Sequence, residues 1–132
     1  MSTRPKVFRA RPARTKADRD READARRGSS HARGYGPRWR RASARRLRDH
    51  PLCEYCAAGA WGDPPRVRGA SLTDHLYPHG GDQVLFWIEA LWVSCCADCH
   101  NGPKQAAERR GRSTLDALAR HLRRPLLCEV MP

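Results

Sequence analysis

Four cysteines in two matched pairs limit what this chain can fold into. Cys53 and Cys56 flank two residues, and so do Cys96 and Cys99. Each C-x-x-C pair offers two thiolates to one side of a tetrahedral ion, and two pairs complete its shell. The chain needs such a staple, because only 7% of its 132 residues are Phe, Trp or Tyr and 30% are charged. One small domain with a thin hydrophobic core is the expectation. No run of about 18 apolar residues occurs, and residues 1–6 lack the apolar stretch of a secretory leader. These features lead us to expect a cytoplasmic chain with no membrane association, where thiols stay reduced and paired cysteines bind metal. Cys53, Cys56, Cys96 and Cys99 are therefore expected on one structural Zn2+. A closed four-sulfur shell has no open position for water, so this ion holds the fold and does no chemistry. Cys95 fits the knuckle spacing less well than Cys96 and reads as a buried neighbour; Cys128 reads as a small apolar contact.

The charge is lopsided. Residues 1–50 hold 17 Lys and Arg against 5 Asp and Glu, whereas residues 51–132 hold 9 of each, so the whole net charge of +12 lies in the first part. A basic arm of this kind releases counterions along phosphates and adds affinity without sequence specificity. Residues 1–33 have few large apolar residues and read as a disordered arm, able to order on nucleic acid.

Helix signals cover residues 37–49, with Pro37 in the first turn, a stop at His50-Pro51, and Trp39 and Leu47 as core anchors. A Gly/Pro-rich loop over 59–65 follows the first knuckle. Residues 66–73 alternate roughly and lead into Asp74-His75, a strand ending at the turn of Pro78 and Gly80-Gly81. A short helical turn over 82–90, a second strand over 91–94 and a helix over 96–110 come next. Ser113 and Asp116 have the spacing of a capping box for a last helix reaching Arg123, with Leu115, Leu118 and Leu122 on its core stripe.

Asp74-His75 and His100 supply a carboxylate and two imidazoles. Two of them can hold a divalent ion while a free imidazole takes a proton from water. An Asp-His pair alone is a weak pattern, better read as a surface histidine after a strand. Its place between two knuckles, with His100 directly after the second, gives it weight.

Read in order, residues 33–40, His50-Pro-Leu-Cys-Glu-Tyr-Cys56, Thr73-Asp-His-Leu-Tyr-Pro-His79, Gly81-Asp82, Phe86-Trp87, Leu91-Trp92, Cys96-Ala-Asp-Cys99-His100 and Lys104 resemble small HNH endonucleases of phage and prophage regions. The likeness covers roughly residues 33–110. It implies an α+β chain with the ββα-metal fold, in which a hairpin and a helix clasp a catalytic divalent ion (Mg2+, Mn2+ or Ni2+). The division it suggests is a basic arm over 1–33, a nuclease domain with zinc knuckles over 34–110, and a C-terminal helix and tail over 111–132.

By the same resemblance, Asp74 and His100 are the catalytic metal ligands and His75 is the general base. Cys53, Cys56, Cys96 and Cys99 match the structural zinc ligands, and Arg38, Arg40 and Arg41 fall where a basic helix meets DNA. DNA and phage packaging machinery are the implied partners of a monomer. His79 is either a supporting group or a turn residue bonding locally. Lys104 reads as a solvated helix-face lysine, and Trp39, Trp87 and Trp92 as core. One departure stands out: Leu91 occupies the place of the family's Asn, whose side chain bridges loops and steadies the base. Three readings follow: an active endonuclease, an HNH-like DNA-binding protein that cuts poorly, and a zinc-ribbon adaptor in which Asp74, His75 and His100 are idle.

Overall fold

A computed structural model of the chain describes residues 12–28 and 32–131. Helix α1 spans Lys16–Arg27, α2 Pro37–Asp49 and α3 Glu54–Ala58. Strand β1 (Leu72–His75) and strand β2 (Trp92–Cys95) pair antiparallel, with α4 (Gln83–Phe86) and a 3-10 turn (Glu89–Leu91) in the connection between them. Helices α5 (Ala97–Cys99) and α6 (Gln105–Arg110) flank a π-helical turn over His100–Lys104, and α7 (Arg112–His121) and α8 (Leu127–Val130) close the chain. The class is α+β, with one two-stranded sheet among helices.

The arm departs from the expectation of disorder, because residues 16–27 are helical. Thr15 and Asp18 form a reciprocal capping box, and Lys16–Asp20 and Arg21–Asp18 pair along the helix. Such local terms support a helix whose apolar content is too low to give it a core contact. Residues 1–11 and 29–31, also read as disordered, lie outside the described residues.

Helix α2 begins and ends where its signals place it, with Pro37 in the first turn and Trp39 buried. The strand expected over 66–73 is cut to Leu72–His75. Its partner β2 leaves for the second knuckle at Cys95, so pairing ends at Leu72↔Cys95. Residues 66–70 instead wrap the first knuckle: the Cys53 amide donates to the Arg68 carbonyl (2.7 Å) and the Arg66 amide to the Cys56 carbonyl (3.0 Å). Val67 is left 83% exposed. Leu91 sits in the 3-10 turn rather than in the second strand. Gly59 ends α3 at positive φ, where a side chain would strike the Asp63 carbonyl at 2.6 Å.

The expected helix over 96–110 runs unbroken but widens into the π turn around Pro103. Proline lacks the amide that the α ladder needs and its ring crowds the carbonyl four residues back, so the backbone opens by one residue. The capping box of Ser113 and Asp116 does not form. Helix α7 starts earlier, at Arg112, and Asp116 accepts the Tyr77 hydroxyl at 2.6 Å. Leu115 and Leu118 are buried and Leu122 is half-buried, as their stripe implies. Cys128 is exposed rather than a core contact, since α8 turns it outward. Among the described residues, no helix is long and apolar enough to cross a membrane.

Two clusters make up the core. The larger joins the knuckle cysteines, Tyr55, Leu76, Leu91, Val93, Cys95 and the α7 stripe. The smaller is aromatic: Trp39, Phe86 and Trp92, with Tyr35 and Trp87 partly buried against it.

Candidate metal centres and active site

Both knuckles are built alike. Cys53 and Cys96 stand at helix N-caps, and Cys56 and Cys99 follow in the first turns of α3 and α5. The four sulfurs are buried and lie within 4.8 Å of one another. Cys56 Sγ is 3.9 Å from Cys96 Sγ and 3.5 Å from Cys99 Sγ. A tetrahedral shell with bonds of about 2.3 Å places sulfurs about 3.8 Å apart, so the group fits a metal such as zinc. Surrounding donors suit thiolates: the Trp61 indole N–H donates to Cys99 Sγ (3.3 Å) and the Cys56 amide reaches Cys53 Sγ (3.5 Å). Burial pushes the Cys53 and Cys99 thiols up; a bound cation reverses that cost. Cys95 is buried outside the group, its thiol turned to the Cys96 carbonyl. Among the described residues, no other group of three or more His, Cys, Asp or Glu side chains has ligand geometry.

Strand alternation divides Asp74 from His75. Asp74 faces α3 and the long helix, where it is 5% exposed. The Tyr55 hydroxyl donates to its Oδ2 at 2.7 Å and the Lys104 ammonium lies 3.1 Å from the same oxygen. Its Oδ1 is 3.7 Å from His100 Nε2, and His100 Nδ1 lies 3.0 Å from the Asn101 side-chain oxygen. An ion with bonds of about 2.1 Å can bridge atoms up to about 4.2 Å apart, so the pair fits one divalent ion as two of its ligands. The sulfur group makes this meeting possible, since it ties α3 to the turn that launches His100.

His75 faces α2 and α4. Its ring stacks on Trp39 (centroids 4.9 Å apart, planes 23° apart) and packs against Phe86 at 4.3 Å. Its Nε2 lies 3.1 Å from the Phe86 carbonyl, which also accepts the Trp92 indole N–H at 2.9 Å. A carbonyl only accepts, so the ring proton is on Nε2 and Nδ1 keeps a lone pair. Burial, reinforced by the charges of His79 and Lys104, pushes the His75 imidazole down to about 4. The ring is therefore neutral near pH 7. Beside it, His79 Nδ1 accepts the Gly81 amide (3.0 Å) and its Nε2 meets the Tyr35 hydroxyl (2.7 Å). His79 thus bonds its own turn, and its ring packs against His75 with centroids 4.8 Å apart.

The two faces share one electrostatic neighbourhood. Burial raises the Tyr35 phenol, and the Asp74 and Glu108 carboxylates add to that rise; Lys104 acts on His75. Lys104 corrects the sequence reading most sharply. It is 1% exposed, not solvated, and its ammonium donates to the His75 carbonyl (2.9 Å) and Glu108 (2.7 Å). Tyr55, Lys104 and Glu108 were missed as site residues. Their signals were present: a tyrosine inside a metal knuckle, and His100, Lys104 and Glu108 at four-residue steps on one helix.

No family model, curated protein or solved structure matches this chain. Arg38, Arg41, Arg45 and Arg46 of α2, with His50 after it, join Trp87 and Trp92 around a cleft of about 360 Å³ whose lining also includes the carboxylates Asp49 and Glu89. Arg38 stacks 3.9 Å over the Trp87 ring, which leaves Trp87 half-buried rather than fully core. Arg40 is exposed and does not line the cleft. Arg46 is spent on Glu54 at 2.8 Å. Against Asp49 and Glu89 the four lining arginines leave the cleft net positive beside two indole rings, which suits a polyanion.

Proposed function

We propose that this protein is a divalent-metal-dependent endonuclease of the HNH type, hydrolysing phosphodiester bonds in DNA on a zinc-stapled scaffold. The observation that carries the reading is the approach of Asp74 Oδ1 to His100 Nε2, 3.7 Å apart, with His75, the next residue along β1, held neutral on the other face of the strand. An adaptor built only around zinc has no use for such a grouping.

In this reading Cys53, Cys56, Cys96 and Cys99 hold zinc, and Asp74 and His100 hold Mg2+, Mn2+ or Ni2+. The second ion supplies positive charge at the scissile phosphate and at the leaving oxygen. His75 Nδ1 takes a proton from water as its oxygen attacks phosphorus and the bond to the leaving sugar oxygen breaks. Trp39 and the Phe86 carbonyl fix the ring and its tautomer. Arg38, Arg40 and Arg41 hold the backbone through phosphates, with the basic arm adding salt-sensitive affinity.

The second reading, a DNA-binding protein that cuts poorly, draws on Leu91, which is 2% exposed in the core and offers the base no hydrogen bond. The clamp of Trp39 and Phe86 on His75 favours the first. Purified full-length chain incubated with supercoiled plasmid and Mg2+, Mn2+ or Ni2+ is expected to nick it, and His75→Ala to lose that activity by about a hundredfold or more. Equal nicking by the variant would remove His75 as the base. DNA retardation with no nicking in any metal would establish the second reading.

A further inference from the structure

We propose that Lys104, together with Tyr55, sets which divalent ions the Asp74–His100 pair accepts, by engaging one oxygen of the Asp74 carboxylate so that only the other can coordinate. The inference rests on the reading above that this pair takes up a divalent ion. It concerns how the carboxylate is presented.

The Lys104 ammonium donates hydrogen bonds to the His75 carbonyl at 2.9 Å and Glu108 Oε1 at 2.7 Å, and forms an ion pair with Asp74 Oδ2 at 3.1 Å. Held by these three groups and 1% exposed, Lys104 is a fixture of the site and not a contact for phosphate. The Tyr55 hydroxyl, itself fully buried, donates to the same Oδ2 at 2.7 Å. Oδ2 therefore carries one hydrogen bond and one ion pair, while Oδ1 faces His100. Turning the carboxylate so that both oxygens reach one ion gives up both contacts where no water replaces them. Glu108 offsets the lysine charge, so the clamp fixes Asp74 without cancelling its attraction for a cation.

Divalent ions differ in what they ask of a carboxylate. Ca2+ gathers about six to eight oxygens at roughly 2.3–2.6 Å and often takes carboxylates through both atoms. Smaller ions such as Mn2+ and Ni2+ accept one carboxylate oxygen with an imidazole nitrogen and fill the rest of a compact shell with water. A carboxylate restricted to Oδ1 suits the second group. Lys104 and Tyr55 are positioning residues in this account, acting through Asp74.

The test is Mn2+ titration of the zinc-loaded full-length chain, read from the paramagnetic resonance signal of free Mn2+, with Ca2+ as competitor. A His100→Ala chain identifies the Mn2+ that belongs to this pair. The unaltered chain is expected to prefer Mn2+ by about thirtyfold or more, and Lys104→Met to narrow that preference to about threefold. Tyr55→Phe shifts it the same way by less, and decides the matter alone if Lys104→Met shows no thermal transition. An unchanged preference in folded variants overturns the clamp while leaving ion uptake intact. No His100-dependent Mn2+ uptake by the unaltered chain overturns both the clamp and the reading beneath it.

Discussion

His75 is a buried imidazole whose neutral form the fold prefers, and that preference has a measurable cost. Its ordinary value of 6.5 falls to about 4 in the folded chain. Between those values the unfolded chain binds the proton and the folded chain does not, so stability drops as pH falls from about 6.5 to 4 and is untouched above that window. The full displacement is worth at most roughly 3 kcal/mol. Thermal melts are expected to lose ground between pH 7 and pH 5 in the unaltered chain, and to lose less in His75→Gln. Parallel curves would mean the ring is not held neutral. Leu91 makes the opposite kind of statement. Its side chain belongs to the larger core, beside a backbone carbonyl that accepts the Leu76 amide at 2.9 Å. Leu91→Asn is expected to destabilise by about 2–5 kcal/mol in denaturant titrations, through lost packing and a buried amide without partners. A neutral effect would show that the amide finds partners near His75 after all.

Elements with their own punctuation were legible in the sequence, and elements that depend on a distant partner were not. Pro37 and the His50-Pro51 stop define α2 locally, and the second knuckle opens the helix that begins with α5, whereas the short α3 within the first knuckle was not read. The extent of β1 was hidden because β2 decides it: the ladder stops where Cys95 yields to the second knuckle. The same logic misled at α7. Ser113 and Asp116 have capping spacing, yet the Tyr77 hydroxyl, far away in sequence, claims the carboxylate. Burial, and after it that bond, pushes the Tyr77 phenol up to about 12. Tyr77→Phe is expected to cost about 1–2 kcal/mol and loosen the docking of α7, seen as faster amide exchange in that helix. Exchange no faster than in the unaltered chain would assign the docking to Leu115 and Leu118 alone. Within the site, Asp74 and His100 were readable from their types and order, and the fold brings them together. Lys104 was legible only in part: four-residue steps put it on one face with His100 and Glu108, but spacing carries no mark of burial, and only the fold supplies the His75 carbonyl and the Asp74 carboxylate.

At the scale of the whole molecule, the basic half and the neutral half divide the labour. The sulfur group links α3 to α5 and thereby seats the strand pair under α2. Chelation, or Cys53→Ser, is expected to abolish the cooperative thermal transition, because the aromatic cluster and the thin core are too small to hold the fold without a staple. A retained transition in metal-free protein would show that packing alone suffices. One further result comes from the separation of the knuckles, Cys56 and Cys99 being 43 positions apart. Each half-site can capture an atom of zinc before the chain has brought the halves together. Renaturation should then be most productive near a single equivalent of the ion, and excess should poison it by giving each half its own guest, leaving neither with a reason to find the other.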